Sequence, residues 1–287
     1  MNTAAIVISF AAAFHFALGQ VLTQFGLRHV SPLSGAAISI PTFTLVFLCA
    51  SPFLLRNETI VWGAVPIFAA VGLAFPAVVT LLTFASNRAL GPVVTSSLGN
   101  LSPLFAVGLA VVLLHEPLRP LQFVGLVVIV LGVLLISMQR QGARDWRTWA
   151  LLLPLGAAAL RGLVPPVIKL GLDIWPSPIA AGLTGYIFST LTVMTVEKIR
   201  NGSFIAKAPR AGRLWFMGIG ICNGFATMLL YFALGAGPVS LVAPLIATFP
   251  LFTVVMSVIA FGKLENGLRL AGGTILTVAG VVLILIG

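Results

Sequence analysis

Charged side chains are the scarcest class in this sequence. Six Asp and Glu residues and 16 Lys and Arg residues make up 8% of 287 positions, against 59% hydrophobic residues and a mean hydropathy of +1.14. So few charges cannot clothe a water-exposed surface, which excludes one or two ordinary soluble domains. Cysteine is scarcer still: Cys49 and Cys222 both fall inside apolar runs, which argues against a disulfide framework and gives them the role of small hydrophobes. The three histidines, His15, His29 and His115, stand far apart with no metal-ligand spacing. The six carboxylates lie at the ends of apolar runs or in loops, so no paired carboxylates, nucleophile with base, or metal cluster is visible for catalysis. Met1 to Ile8 has no Lys or Arg and leads into no small-residue cleavage site, so the first apolar run reads as a retained helix rather than a signal peptide.

What is present is length enough for about ten membrane crossings, at about 20 apolar residues each plus short loops. Ten candidate helices follow from the hydropathy: 4–27, 33–55, 61–84, 93–114, 119–138, 148–171, 177–197, 214–234, 239–261 and 268–286. Between them stand helix-breaking stretches such as Val30-Ser31-Pro32, Gly91-Pro92, His115-Glu116-Pro117, Pro176-Ser177-Pro178 and Gly237-Pro238. The net charge of +10 and pI of 11.1 would point to nucleic acid in a soluble protein, but here the basic residues sit between the apolar runs. They are a topology signal, and the implied partners are a lipid bilayer and a small molecule, not nucleic acid. Twelve of the 16 collect on one side: Arg28, Arg88, Arg140, Arg144, Arg147, Lys198, Arg200, Lys207, Arg210, Arg213, Lys263 and Arg269. Only Arg56 and Arg119 fall on the other, so the first set is expected in the cytoplasm and both termini outside. Trp62, Trp146, Trp149, Trp175 and Trp215 lie near expected helix ends, as an interfacial belt requires.

The chain also repeats itself. With a shift of about 146 residues, the Ala89-Leu90-Gly91-Pro92 turn falls on the turn ending in Gly237-Pro238, and Pro103-Leu104-Phe105 falls on Pro250-Leu251-Phe252. Glu116, followed by Gly125 and Gly132, falls on Glu265, followed by Gly273 and Gly280, and Gly26-Leu27 stands opposite Gly171-Leu172. Five spans per half is an odd number, so the halves cross the membrane in opposite senses. The expected organisation is a first five-helix repeat at 1–138, a basic connecting loop at 139–147, and an inverted second repeat at 148–287.

Two five-helix halves, each with a Gly-Pro turn, a helix ending near Glu, and a last helix carrying Gly-x6-Gly, resemble the EamA-type members of the drug/metabolite transporter superfamily. The resemblance covers essentially the whole chain and is closest in kind to bacterial inner-membrane exporters of amino acids, aromatic ones included. It implies an all-α polytopic membrane protein with ten transmembrane helices in two inverted five-helix repeats around a central cavity, no cofactor, and transport by alternating exposure of that cavity. Glu116 and Glu265 match the family's glutamate, for which the resemblance implies a loop-stabilising role. Small four-helix relatives couple drugs to protons through a glutamate in the first helix; the first helix here carries no carboxylate.

Within the spans the polar residues are few enough to name. His15 sits near the middle of the first helix, on a face with Ala11, Ala12, Gly19 and Gly26; its repeat partner is Arg161, on a face with Ala157, Ala158 and Pro165. A central arginine is costly in lipid, about 2.5 to 3.5 kcal/mol on insertion scales, unless it meets water or an anion. The alternatives are helix-end carbonyls for Arg161 and a neighbouring helix for a neutral His15. Lys169 is expected to snorkel to the outer interface, and Gln20 and Gln24 to bond between helices. Thr80, Thr83 and Asn87 share one helical face with Pro76, Asn223, Thr227 and Tyr231 share another, and Ser96, Ser97 and Asn100 precede Pro103. Prolines inside spans, Pro165, Pro166, Pro244 and Pro250 among them, free backbone carbonyls that water or side chains must satisfy. Phe14, Phe84, Phe225 and Tyr231 are candidates to stack an apolar substrate, or simply to meet lipid. The candidate substrate-binding set is therefore His15, Arg161, Asn100, Asn223, Thr80, Thr227, Tyr231 and Phe84, with no catalytic or metal-binding residue.

The function these features favour is export of small organic metabolites, amino acids first, with multidrug or nucleoside and sugar transport as alternatives in the same superfamily. A midplane arginine in place of a midplane carboxylate argues against a cationic drug. A membrane enzyme lacks its constellation, and a packed interaction protein would have no polar midplane. Ten helices suffice to enclose a pathway in a single chain, and the glycine-rich last helices are suited to packing within or between chains.

Overall fold

A computed structural model describes residues 3–56, 58–75, 77–90, 95, 98–137, 148–261 and 267–287, apart from some side chains inside those ranges. The described residues are helical, without strands. The helices are α1 (Thr3–Gly26), α2 (Pro32–Leu54), α3 (Val65–Ala74), α4 (Ala77–Leu90), α5 (Ser102–Leu114), α6 (Pro120–Ser137), α7 (Leu152–Ile174), α8 (Pro178–Asn201), α9 (Arg210–Ala236), α10 (Val239–Ile246), α11 (Phe249–Phe261) and α12 (Gly267–Ile286). Among the described residues, six segments are long and apolar enough to cross a membrane, the last of them running from α10 into α11, and α3, α5 and parts of α6 and α12 are shorter apolar helices. Many large hydrophobic side chains face outward, Phe53, Trp62, Ile199, Ile259 and Ile286 among them, as a lipid solvent permits.

Local chemistry sets the helix ends. Ser31 caps α2 by accepting from the Ser34 amide at 3.3 Å, and Ser177 caps α8 by accepting from the Ala180 amide at 3.3 Å; a proline follows each cap, where its missing N–H costs nothing. Two expected spans are interrupted. The 61–84 span becomes α3 and α4, parted at Phe75 beside Pro76, and the 239–261 span becomes α10 and α11, parted at Ala247 and Thr248 just before Pro250. A proline donates no N–H and crowds the preceding turn, and Pro250 stands in the first turn of α11, just past the second break. The stretch from Glu197 to Arg213, polar in sequence, is α8 as far as Asn201 and α9 from Arg210.

The chain forms two compact units. The first comprises Met1–Ala77 and Val167–Ala236; the second comprises Val78–Pro166 and Gly237–Gly287. Each draws on both halves of the sequence. In the first, α1 packs along α9, α2 against α8 and α9, and α3 against α8. Thr44 on α2 and Thr190 on α8, 146 residues apart, meet through their hydroxyl oxygens at 2.7 Å. A methyl group on Gly72 would run into the Gly185 carbonyl, and one on Gly220 into the Ser39 carbonyl. In the second unit α6 lies along α12 and α5 packs on α10, over a core of Val107, Leu126, Ile129, Val130, Val133 and Ile284. A methyl on Gly125 would come within 2.7 Å of the Gly280 oxygen, one on Gly280 within 2.6 Å of the Gly125 oxygen, and one on Gly132 within 2.8 Å of the Gly273 oxygen. These are backbone-to-backbone approaches that only a residue without a side chain allows.

Substituting Gly125→Ala is therefore expected to destabilise the purified protein by about 1–3 kcal/mol through overpacking. Gly108→Ala, on an α5 face with nothing nearby, is expected to be neutral. Paired melting curves of the two variants in one detergent check this; equal curves would refute the close approach.

Candidate functional site

In the first unit a polar chain runs across three helices. The Tyr186 hydroxyl on α8 donates to Thr227 Oγ1 on α9 at 3.2 Å, and Thr227 in turn donates to the Asn223 carbonyl at 2.8 Å. Asn223 lies directly on Gly19 of α1, whose missing side chain makes the room. One turn earlier on α1, half-buried His15 donates through Nδ1 to the Ala11 carbonyl at 2.9 Å, which leaves Nε2 without a hydrogen bond among the described residues. His15 thus bonds its own helix rather than a neighbour. Tyr231 is buried, with its hydroxyl against Gly185. Of the four first-unit candidates, His15, Asn223 and Thr227 come together around α1 and α9, and Tyr231 stands a turn beyond Thr227 toward α8.

Tyr186 was not singled out in sequence, because neighbours such as Ile187 and Phe188 disguise it as core. Its ring also joins Phe43 at 5.4 Å and Phe47 at 5.6 Å, and Phe43 meets Phe225 edge-on at 5.4 Å. Phe225 is thus a packing partner with one exposed face, and Phe14 stands edge-on to His15 at 5.7 Å.

In the second unit Arg161 sits at the middle of the Trp149–Ile174 span, with its surface exposed. Among the described residues its guanidinium makes no hydrogen bond or ion pair. A methyl on Gly99 would lie 3.8 Å from Nη1, and the next residue, Gly162, packs on Ser102 and Phe105, so Arg161 stands beside the turn that opens α5. Asn100, half-buried, belongs to that same turn. Pro165 and Pro166 lack the amides that the Arg161 and Gly162 carbonyls would otherwise meet. A cation, a helix N-terminus and freed backbone groups are thereby gathered at mid-span. The side chains of Thr80 and Phe84 lie outside those described, as do Ser96, Ser97 and Glu265.

Other polar groups are tied to structural tasks. Glu116 follows His115, whose left-handed backbone (φ 53°) ends α5, and its two oxygens accept from the Val239 and Ser240 amides at 2.8 Å each. It caps α10, which Pro238 at the cap position leaves without a side-chain partner. Lys169 does not snorkel: Nζ donates to the Leu234 carbonyl at 2.9 Å, in the last turn of α9, and stands 3.9 Å from Asp173. Gln20 and Gln24 are exposed and bond no neighbouring helix among the described residues. Trp62, Trp149 and Trp215 are exposed, whereas Trp175 is buried, and Cys49 faces outward instead of inward.

Apolar helices of spanning length, carrying inside them a few polar groups that are not consumed by packing, define a multi-pass membrane protein. The chain belongs to the EamA-like transporter family, which matches residues 3–138 and 148–286, and is thus a membrane transporter of small molecules, within the drug/metabolite transporter superfamily. A solved structure titled only "Crystal structure of protein" superposes with a TM-score of 0.80 over 97% of this chain and 94% of its own, at 18% identity, a likeness of fold alone. No curated protein matches the chain in sequence.

Removing the cap with Glu116→Ala is expected to cost about 1 kcal/mol, with Glu116→Gln recovering part of it through one retained acceptor. Tyr186→Phe, which deletes only the hydroxyl donating to Thr227, is expected to cost a similar amount, about 1 kcal/mol. Thermal denaturation followed by tryptophan fluorescence reads both; an unchanged Glu116→Ala protein would remove the capping role.

Proposed function

We propose that this transporter exports small metabolites carrying a carboxylate, amino acids and the apolar or aromatic ones first, across a bacterial inner membrane. Ten transmembrane helices form two inverted repeats, 1–138 and 148–287, joined by the basic loop 139–147, with both termini outside. Support for the inverted repeat comes from contacts that exchange between the halves. Gly72 on Gly185 is answered by Gly220 on Ser39, Gly125 on Gly280 is answered by Gly132 on Gly273, and Thr44 meets its own equivalent, Thr190. The Gly125–Gly280 and Gly132–Gly273 contacts become one another when the halves are interchanged.

The observation that carries the substrate class is Arg161. A guanidinium at the centre of an apolar span, exposed and unpartnered among the described residues, demands water or an anion. The first turn of α5 beside it presents the positive end of a helix, which favours the same guest. A carboxylate on the Arg161 guanidinium would be held by charge-assisted hydrogen bonds, beside the turn that contains Asn100. Within the first unit, taken by itself, His15, Asn223 and Thr227 are the candidate polar residues, and the exposed faces of Phe14 and Phe225 suit an apolar side chain. Transport then follows alternating access, the substrate meeting the cytoplasmic side first.

The test is flux of labelled Phe, Trp, Tyr, Met, Thr, Leu and Ala in proteoliposomes, with and without a pH gradient. Saturable flux of at least one is expected, lost by about tenfold or more in Arg161→Ala, since a charge-assisted contact is worth that much. Amines lacking the carboxylate should not compete. No flux for any member would overturn the amino-acid reading, and full flux in Arg161→Ala would overturn the role of the arginine.

A further inference from the structure

A buried carboxyl group with one unpartnered oxygen among the described residues lies in the first unit, at the far end of α8 from Ser177. Glu197 is 1% exposed, in the last turn of the helix. Its Oε1 accepts two hydrogen bonds, from Ser34 Oγ at 2.9 Å and from Asn201 Nδ2 at 2.8 Å, and Ser34 is itself tied to the α2 cap, Ser31. Its Oε2 is buried with no partner among the described residues. The setting makes this costly twice over. A buried ionised oxygen loses hydration without replacement, and the C-terminal end of a helix already carries partial negative charge.

No basic side chain of the described residues stands within ion-pair distance of Glu197. The adjacent Lys198 is spent elsewhere, with Nζ over the Phe204 ring at 4.2 Å. Glu197 belongs to the wall of a cavity of 340 Å³, which Ser34 and Asn201 also line and at which His29 and Lys207, both exposed, stand. The cavity is therefore bipolar, with one buried anionic oxygen and two exposed basic side chains. Its volume suits a molecule of several heavy atoms, well beyond a bare ion. Under the repeat shift the partner of Glu197 is Ser51, a half-buried uncharged residue, so the feature is not part of the repeated scaffold.

We propose that this cavity binds a small zwitterion, with its primary ammonium on Glu197 Oε2 and its anionic end toward His29 and Lys207. An ammonium supplies the donors that Oε2 lacks, and the basic residues select against a simple cation. The same chemistry belongs to a free amino acid and to a phosphoethanolamine lipid headgroup. The site is separate from Arg161, and its occupancy does not depend on which solute crosses the membrane.

The test is calorimetric titration of the full chain in phosphatidylcholine nanodiscs, whose lipid carries no primary ammonium. The probes are glycine and O-phosphoethanolamine, each compared with ethanolamine and acetate. At least one zwitterion is expected to bind about tenfold or more tightly than either half-molecule, an ordinary margin for one charged contact. Glycine alone would mark a free amino acid as the source, and phosphoethanolamine alone the lipid headgroup. Glu197→Gln keeps an acceptor for Ser34 and Asn201 and changes only the orphan oxygen; it is expected to abolish that binding without lowering the melting temperature. Lys207→Ala, at an exposed position, should weaken the zwitterion and leave ethanolamine unchanged. Silence with both zwitterions, ethanolamine binding as tightly as they do, or unaltered binding in both variants would overturn the proposal. Because these titrations need no transport, they can fail while the Arg161 flux experiment succeeds, and the reverse.

Discussion

Two helices in lipid gain nothing by hiding apolar surface from each other, since the lipid is as apolar as they are; what holds them is the closeness of their approach. In this transporter that closeness is set by glycine. Gly125 and Gly132 on α6 meet Gly280 and Gly273 on α12 backbone to backbone, and Gly72 and Gly220 do the same on Gly185 and Ser39. At such distances dispersion between main chains replaces the hydrophobic effect that would order a soluble core. The rest follows in sequence: α2 is brought to α8 closely enough for Thr44 and Thr190 to share a hydrogen bond, and α8 to α9 closely enough for Tyr186 to reach Thr227. The polar chain of the first unit is thus a product of how near the backbones lie.

The same solvent imposes a second demand, that each polar group inside it find a partner. Most do, and the partner is often the end of another helix. Glu116 satisfies the start of α10, Lys169 the last turn of α9, and Ser31 and Ser177 their own helices. Against that background the exceptions acquire meaning. Arg161 and Glu197 Oε2 stand without partners among the described residues, whereas Glu116 and Lys169 each meet the end of a helix. A fold able to place Glu116 on two amides at 2.8 Å has the means to satisfy an arginine.

How far the sequence foretold this depends on the distance over which each feature is determined. Helix positions were legible because they rest on local composition, and the Ser-Pro caps of α2 and α8 are readable as they stand. Arg161 was legible too, since one cation in a long apolar run needs no knowledge of its neighbours. The burial of Glu197 was not: it sits beside Lys198 and Arg200 at the edge of a polar stretch, and only Ser34, 163 residues away, together with the cavity reveals its setting. Tyr186 was hidden for the same reason, its partner being on another helix. Lys169 misled in the opposite sense. A lysine near a span end ordinarily snorkels, but the carbonyl of Leu234 came within 2.9 Å and offered a shorter route.

An unpaired charge at mid-span also bears on how a transporter of this kind would work. If Arg161 receives the substrate carboxylate, the loaded protein carries a neutralised pair through the occluded state, while the empty protein must carry a bare guanidinium through it. Desolvating a lone ion costs several kcal/mol more than desolvating a pair with good geometry. The empty crossing is therefore the slower one unless water or another anion accompanies it, and binding energy is released where the barrier lies. A paired arginine would bind substrate only by first breaking its own salt bridge. On the proposed reading, an arginine without a partner among the described residues makes the substrate the group whose arrival lowers the cost of changing state.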